Sequence, residues 1–389
     1  MKKILWLASW YPSKVDPYTG DFIERHAQAA ARENDIHVLH VVKDTRAIYA
    51  EKRIEEHRHY AQGGEATIIY YKTPTYNIKW FEKLYSNYVY LKLHENYLKK
   101  YIGKAGKPDG IHVHIGMKAG LAALLLKWKY RIPYVVSEQW SGLCSESNPN
   151  FNDKPFMFRW LWKLLMKKAT GYSAVSEYLA NAMQNQFFLK RRVQVIPNVV
   201  NTDVFYPSGT TNNKIQFIHI SSLNYQKNAE QILEAAAILK KQFPEFTLLI
   251  FGEPKENLLT FTRELNIQDV VEFKGTGPQE ELRKFIQQSV ALILYSRFET
   301  FGCVIIEANA CGKPVIVSDI PVFHENVKSS VTGVFVPLNN PALLAETMYS
   351  LATNQLVFDD AIIEKQAKDK YSYEIVGKQF DEFYHNNFD

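Results

Sequence analysis

The feature that most constrains this chain is an alternation of strand and helix patterns that runs through its 389 residues twice. Residues 4–8, 36–42, 66–71, 111–115 and 134–137 read as apolar strands, and 21–32, 80–101 and 118–129 as helices. The pattern restarts with strands at 216–220, 247–251, 270–273, 290–295 and 314–317, a helix at 230–242 and further helices between. Strands alternating with helices predict parallel sheets covered on both faces. The chain is too long for one ordinary core and fits two. The fold class is therefore α/β, with two doubly wound Rossmann-like domains and a ligand cleft between them at the carboxyl ends of the strands. Ser208-Gly209-Thr210-Thr211-Asn212-Asn213 is the most linker-like stretch. It places the boundary near 200–214, with an N-terminal domain over 1–205 and a C-terminal one over 206–370.

Charge separates the two halves. Residues 1–200 hold 30 Lys and Arg against 17 Asp and Glu, while the remainder holds 16 against 24. A basic domain joined to an acidic one predicts different partners for each. For the basic half these are an anionic membrane surface, a phosphorylated acceptor or nucleic acid. The apolar run after Met1-Lys2-Lys3 is short and meets Trp10-Tyr11-Pro12, so it reads as a buried first strand and not a secretion signal. No window is apolar enough to span a bilayer. Cys144, Cys303 and Cys311 have no metal or disulfide spacing and read as reduced thiols.

The chemistry is concentrated in Ser296-Arg297-Phe298-Glu299-Thr300-Phe301-Gly302-Cys303-Val304-Ile305-Ile306-Glu307-Ala308-Asn309-Ala310-Cys311-Gly312-Lys313-Pro314. A buried strand runs into a loop at Gly302, where a helix of about three turns begins, with Gly312 suited to the position just past its end. The amides of Phe301, Gly302 and Cys303 would be free at the helix N-terminus, a ready phosphate site. Glu299 and Glu307 would flank them, and carboxylates accept hydrogen bonds from sugar and ribose hydroxyls. Two glutamates eight apart are common by chance. The Phe-Gly turn, the small-residue helix and Pro314 give the pair its weight.

In this context the segment resembles the Glu-x7-Glu hallmark of the retaining glycosyltransferases of family 4, which have the GT-B fold. Further similarities fall in the family's order. They are Tyr11-Pro12 through Gly20-Asp21, Pro108-Asp109-Gly110-Ile111-His112-Val113-His114, Ala174-Val175-Ser176-Glu177, Ile196-Pro197-Asn198 and Phe273-x-Gly275. The resemblance implies a nucleotide-sugar donor held by Gly20, Ser222, Lys227, Phe273, Glu299, Thr300, Phe301, Gly302, Cys303 and Glu307. Glu299 would contact the sugar, Glu307 the ribose, and Phe273 would end a strand beside the base. Lys227 would neutralise the diphosphate as charge develops on the leaving group. His114, Gln139 and Trp140 would face the acceptor. Residues 371–389 would form a helix returning to the N-terminal domain.

Three positions depart from the family pattern. Ser222 stands where Arg is usual, Gln139 where many members have His, and Asn201 where Asp is usual. An amide binds a hydroxyl but is no base near neutral pH, so front-side retaining transfer would proceed without a protein base at Gln139. A GT-B nucleotide-sugar epimerase and a non-catalytic sugar-nucleotide binder are the competing readings. No Asp-x-Asp occurs, so no cofactor and no metal are expected. His112 and His114 are read as alternating on their strand and pointing to opposite faces, which argues against a metal pair. Residues 156–168 mix aromatics with Lys and Arg at helical spacing, as do 80–100. Core packing is expected for most aromatics of the first, with an interfacial membrane helix as the alternative. The function that follows is a metal-independent retaining hexosyltransferase, cytoplasmic, peripheral on the inner face of a bacterial membrane and extending a lipid-linked glycan. Nucleic acid is not a partner in that reading.

Overall fold

The computed structural model describes all residues except 62, 76, 209–213 and 389, so most of the linker-like stretch at 208–213 lies outside the described residues. The chain divides into two compact units, Met1–Val199 with Tyr373–Asp389, and Val200–Ser372.

The first unit runs β1 (Lys3–Ala8), α1 (Asp21–Ala30), β2 (Asp35–Lys43), β3 (Arg53–His59), β4 (Glu65–Tyr71), α2 (Lys79–Ala105), β5 (Gly110–His114), α3 (Ala119–Tyr130), β6 (Tyr134–Glu138), α4 (Phe156–Lys168), β7 (Gly171–Ala174), α5 (Glu177–Phe187) and β8 (Gln194–Val195). Its sheet has the order β3-β4-β2-β1-β5-β6-β7-β8 and is parallel except for the antiparallel pair β3 and β4. Residues 4–7 are fully buried because β1 is central and helices cover both faces. β3 is an element that periodicity did not reveal. Its sequence, Arg-Ile-Glu-Glu-His-Arg-His, has no apolar face, as suits a solvated edge strand. The C-terminal helix, Tyr373–Phe388, belongs to this unit and packs on α1. A Cβ at Gly377 would lie 2.5 Å from the Ala29 carbonyl oxygen, so the glycine permits that approach.

The second unit runs β9 (Ile215–Ile220), α6 (Ala229–Gln242), β10 (Phe246–Phe251), α7 (Glu256–Glu264), β11 (Val271–Gly275), α8 (Gln279–Gln288), β12 (Ala291–Leu294), α9 (Cys303–Ala310), β13 (Val315–Ser318), α10 (Phe323–Asn326), β14 (Gly333–Val336), α11 (Pro341–Ala352) and α12 (Asp360–Tyr371). All its strands are parallel, in the order β11-β10-β9-β12-β13-β14. Phe217, Ile232, Leu248, Ile293 and Leu344 are among its core residues. The strand order reverses between β9 and β12, which opens a crevice at their carboxyl ends where ligands of such sheets bind. The switch between β1 and β5 does the same in the first unit.

α9 is shorter than the three turns expected. It stops at Ala310 because Gly312 takes a left-handed φ of 74°. The Lys313 amide then donates to Ala308 O at 2.9 Å and the Gly312 amide to Asn309 O at 2.9 Å, closing the helix end with the paired bonds of a glycine-terminated cap.

Candidate functional site

Two loops meet over the switch point of the second unit. The first follows β9, where a 3₁₀ turn over Tyr225–Lys227 is capped by the Asn224 side chain. The second follows β12. Lys227 Nζ donates to Glu299 Oε1, and that carboxylate also accepts from Ser296 Oγ at 3.0 Å and from Gln226 Nε2 at 3.2 Å. Gln226 also donates to Phe298 O at 3.0 Å, and Arg297 N donates to Gln226 O at 2.8 Å. The Arg297 guanidinium lies 4.2 Å from the Tyr225 ring centroid. Glu299 is thereby buried with its charge paired and its oxygens oriented, the condition under which a buried carboxylate is tolerated.

Beneath the first loop His219 is buried and neutral. It donates through Nδ1 to Ile293 O at 2.8 Å, accepts at Nε2 from Ser221 Oγ at 2.7 Å, and burial pushes it down to about 4. Ser221 Oγ in turn accepts the Leu223 amide at 3.1 Å. The imidazole therefore ties β9, β12 and the loop together. Ser222 is exposed beside it. A Cβ at Gly252 would come within 2.1 Å of Ser221 O, so the end of β10 also approaches this loop closely.

Gly302 caps α9 at φ 88°. A Cβ there would sit 3.0 Å from Phe323 and 3.1 Å from Ile305, so both the backbone angle and the space select glycine. Among the described residues the amides of Phe301 and Gly302 donate to no protein group, while Asn326 Nδ2 holds Phe301 O at 2.7 Å. Thr300 is half-buried in the loop, and Cys303 and Glu307 lie on α9. Glu307 is buried. Burial first, and then the Glu307 carboxylate, push the Cys311 thiol up to about 12, which places these two side chains on one face a turn apart. Phe273 is half-buried and packs against the core, Gly275 O accepts the Gly252 amide at 2.7 Å, and Glu272 and Lys274 are the exposed residues of that strand.

The remaining sequence-selected residues lie in the first unit. Gly20 caps α1 at φ 85°, where a Cβ would lie 2.6 Å from the Tyr11 amide nitrogen. His112 and His114 share one face of β5, with ring centroids 4.0 Å apart. This corrects the opposite-face reading: side chains two apart on a strand point the same way. His114 stacks on Trp6 at 3.8 Å, and among the described residues its Nε2 is buried without a partner. His112 bonds Tyr384 Oη at 2.8 Å and Ser137 Oγ at 2.5 Å, and burial holds both imidazoles neutral. Gln139 Nε2 meets His26 Nδ1 at 3.4 Å, and His26 Nε2 donates to Pro197 O at 2.9 Å. Trp140 stacks on Trp162 at 5.0 Å, so its ring serves packing as well as the loop surface. Before it, Glu138 is fully buried, accepting from the amides of Gly116, Gln139 and Trp140.

Two family models match consecutive parts of this chain. Residues 20–204 match Glycosyltransferase Family 4, and residues 202–371 match Glycosyl transferases group 1. The chain belongs to the family 4 glycosyltransferases. An uncharacterized glycosyltransferase of Methanocaldococcus jannaschii is 27% identical over 247 residues, covering 64% of this chain and 66% of the relative. A GDP-mannose:cellobiosyl-diphosphopolyprenol alpha-mannosyltransferase of Xanthomonas oryzae is 27% identical over 200 residues, or 50% and 53% of the two chains. The chain thus spans no more than about two thirds of these relatives. The sucrose-phosphate synthase structure from Thermosynechococcus elongatus superposes with a TM-score of 0.76 at 19% identity, covering 100% of this chain and 99% of that one. The fold of this family 4 glycosyltransferase is accordingly GT-B.

Sequence reasoning missed His26, Glu138, His219, Ser296 and Gln226. His219 carried a usable signal, since it is the one polar side chain among Phe217, Ile218 and Ile220. Ser296 lies only three residues before its partner Glu299, whereas His26, Glu138 and Gln226 meet Pro197, Gly116 and Glu299 across 171, 22 and 73 residues, and no local pattern marks that.

Proposed function

We propose that this chain transfers a hexose from a UDP- or GDP-linked donor to a glycan acceptor, with retention at the anomeric carbon and without a metal ion. The single observation that carries this reading is the Lys227–Glu299 pair set at the switch point of the second unit beside the unengaged amides of Phe301 and Gly302. A cation and helix-start amides offer a diphosphate its counter-charge, and this stabilisation grows as the nucleoside diphosphate departs. Glu299, oriented by Ser296 and Gln226, accepts from the donor sugar, and Glu307 from the ribose. Ser222 contributes a hydroxyl in place of a charge. In the first unit His114, Gln139 and Trp140 serve the acceptor, and neutral His114 and amide Gln139 suit hydroxyl recognition. The acceptor is lipid-linked, consistent with the diphosphopolyprenol named for the Xanthomonas relative, and the enzyme works on the inner face of a bacterial membrane in surface-glycan synthesis.

The test is a thermal-shift screen against UDP-, GDP-, ADP- and TDP-sugars, followed by NMR of the product anomer with candidate acceptors. Stabilisation by one base and an anomer matching the donor are expected. An epimer formed from donor alone would establish the isomerase instead. Donor binding with no turnover over a broad acceptor set would leave a binding protein.

A further inference from the structure

The first unit carries an apolar rim that folding has left uncovered. Ile78, Trp80, Phe81, Leu84 and Tyr88, all at the start of α2, are exposed, Trp80 by 65% and Leu84 by 58%. Phe156, Met157 and Trp160 at the start of α4 are exposed as well, Phe156 by 72%. Core packing accounts for Trp162 and in part Phe158 of that helix, but not for Phe156 and Trp160.

Topology brings the two groups to one edge. α2, α3 and α4 lead respectively into the parallel strands β5, β6 and β7, so all three begin at the carboxyl edge of the sheet. α3 packs against both neighbours. A Cβ at Gly120 would lie 2.4 Å from Leu165 of α4, and Lys118, just before α3, stands 4.8 Å from the Tyr90 ring of α2. The helices that carry the uncovered apolar residues therefore flank Lys118 on both sides, and their exposed starts precede the points of contact at Tyr90 and Leu165. Cations are interleaved with them: Lys79 and Lys83 on α2, and Lys154 and Lys163 around α4. Among the described residues none of these four, nor Lys118, has an acidic partner, whereas Lys43 is paired with Glu82 at 3.1 Å.

Exposed Trp, Tyr and Leu with unpaired lysines between them are what an interfacial surface needs. The rings and aliphatic chains enter the headgroup boundary, and the ammonium groups meet anionic lipid. We infer that the starts of α2 and α4, with Lys118 between them, form a face that docks on an anionic lipid bilayer. This rests on the lipid-linked acceptor reading. It deepens that reading by placing the bilayer at the sheet edge where β5 ends in His114 and Gln139 follows the end of β6, so an acceptor anchored in the bilayer would enter beside them.

Sedimentation of the full chain with vesicles of phosphatidylglycerol and phosphatidylcholine tests the docking, with pure phosphatidylcholine in parallel. Binding to the anionic vesicles that fades as salt rises is expected. The double substitution Trp80→Ser with Leu84→Ser should weaken it by roughly tenfold or more, as should Lys79→Glu with Lys83→Glu. Lys104→Glu, the same charge change at the far end of α2, should leave it intact. All these side chains are exposed, so unchanged melting and donor-induced thermal shifts verify folding and keep this test separate from donor recognition. Failure of wild type to bind at low salt, or unchanged binding by both double variants, would overturn the inference. So would dimerisation without lipid that Trp80→Ser with Leu84→Ser abolishes, since the face would then belong to a second copy.

Discussion

Lys227 and Glu299 form an ion pair that joins the loops after β9 and β12, although 72 residues separate them in the chain. Only 6% of the Glu299 side chain and 19% of the Lys227 side chain remain exposed. The carboxylate keeps two further donors, Ser296 and Gln226, and so stays oriented if the ammonium shifts toward a phosphate. Replacing Glu299 by Gln retains shape and removes charge. Turnover should fall tenfold or more, while the dissociation constant for free nucleoside diphosphate changes by no more than about threefold. Steady-state kinetics beside calorimetry decides it. Equal losses for nucleoside diphosphate and nucleotide sugar would mean that the roles of the two glutamates are reversed.

Glu307→Ala should act on the nucleotide itself. A hydrogen bond to a charged group contributes about 1.5–3 kcal/mol, or roughly tenfold to a hundredfold in affinity. Calorimetric titration with the nucleoside diphosphate measures this directly, and an unchanged dissociation constant would remove Glu307 from the ribose.

Glu138 predicts a pH dependence of stability. Burial pushes its carboxyl from 4.5 up to about 7, against three backbone amides that pull it down. The folded state therefore holds the proton more tightly than the unfolded chain. The resulting stabilisation is complete below about pH 4 and is lost as pH rises through about 7, roughly 2–4 kcal/mol across the window. Urea unfolding of wild type and Glu138→Gln between pH 4 and 8 should show wild type losing stability relative to the variant. A constant difference would mean that folding leaves the carboxyl's affinity for its proton unchanged.

Chelation tests the diphosphate partners. If Lys227 and the amides at α9 supply the counter-charge, transferase activity should survive EDTA with less than a twofold change. Loss of activity on chelation, regained with Mg²⁺ or Mn²⁺, would assign that charge to a metal ion.

The sequence by itself determined the strand and helix order, because apolar periodicity follows directly from which faces a doubly wound sheet must bury. It also determined the turn at Gly302 and the stop at Gly312, where backbone angles of 88° and 74° exclude most side chains. Where local pattern and tertiary context part, the tertiary structure decided. The charged strand β3 exists only because β4 offers it an edge to pair with. His112 and His114 became a neutral pair on one face, with His114 stacked on Trp6 and His112 edge-on to it, because the sheet and the C-terminal helix close over that face of β5. The aromatic starts of α2 and α4 look alike in sequence to buried stripes, and only the packing of three parallel helices shows which rings stay in solvent. The partners of Glu299 likewise depend on two loops meeting at a strand switch. Periodicity reports what a residue's own element must bury, whereas a contact between distant elements depends on where the sheet sets their ends.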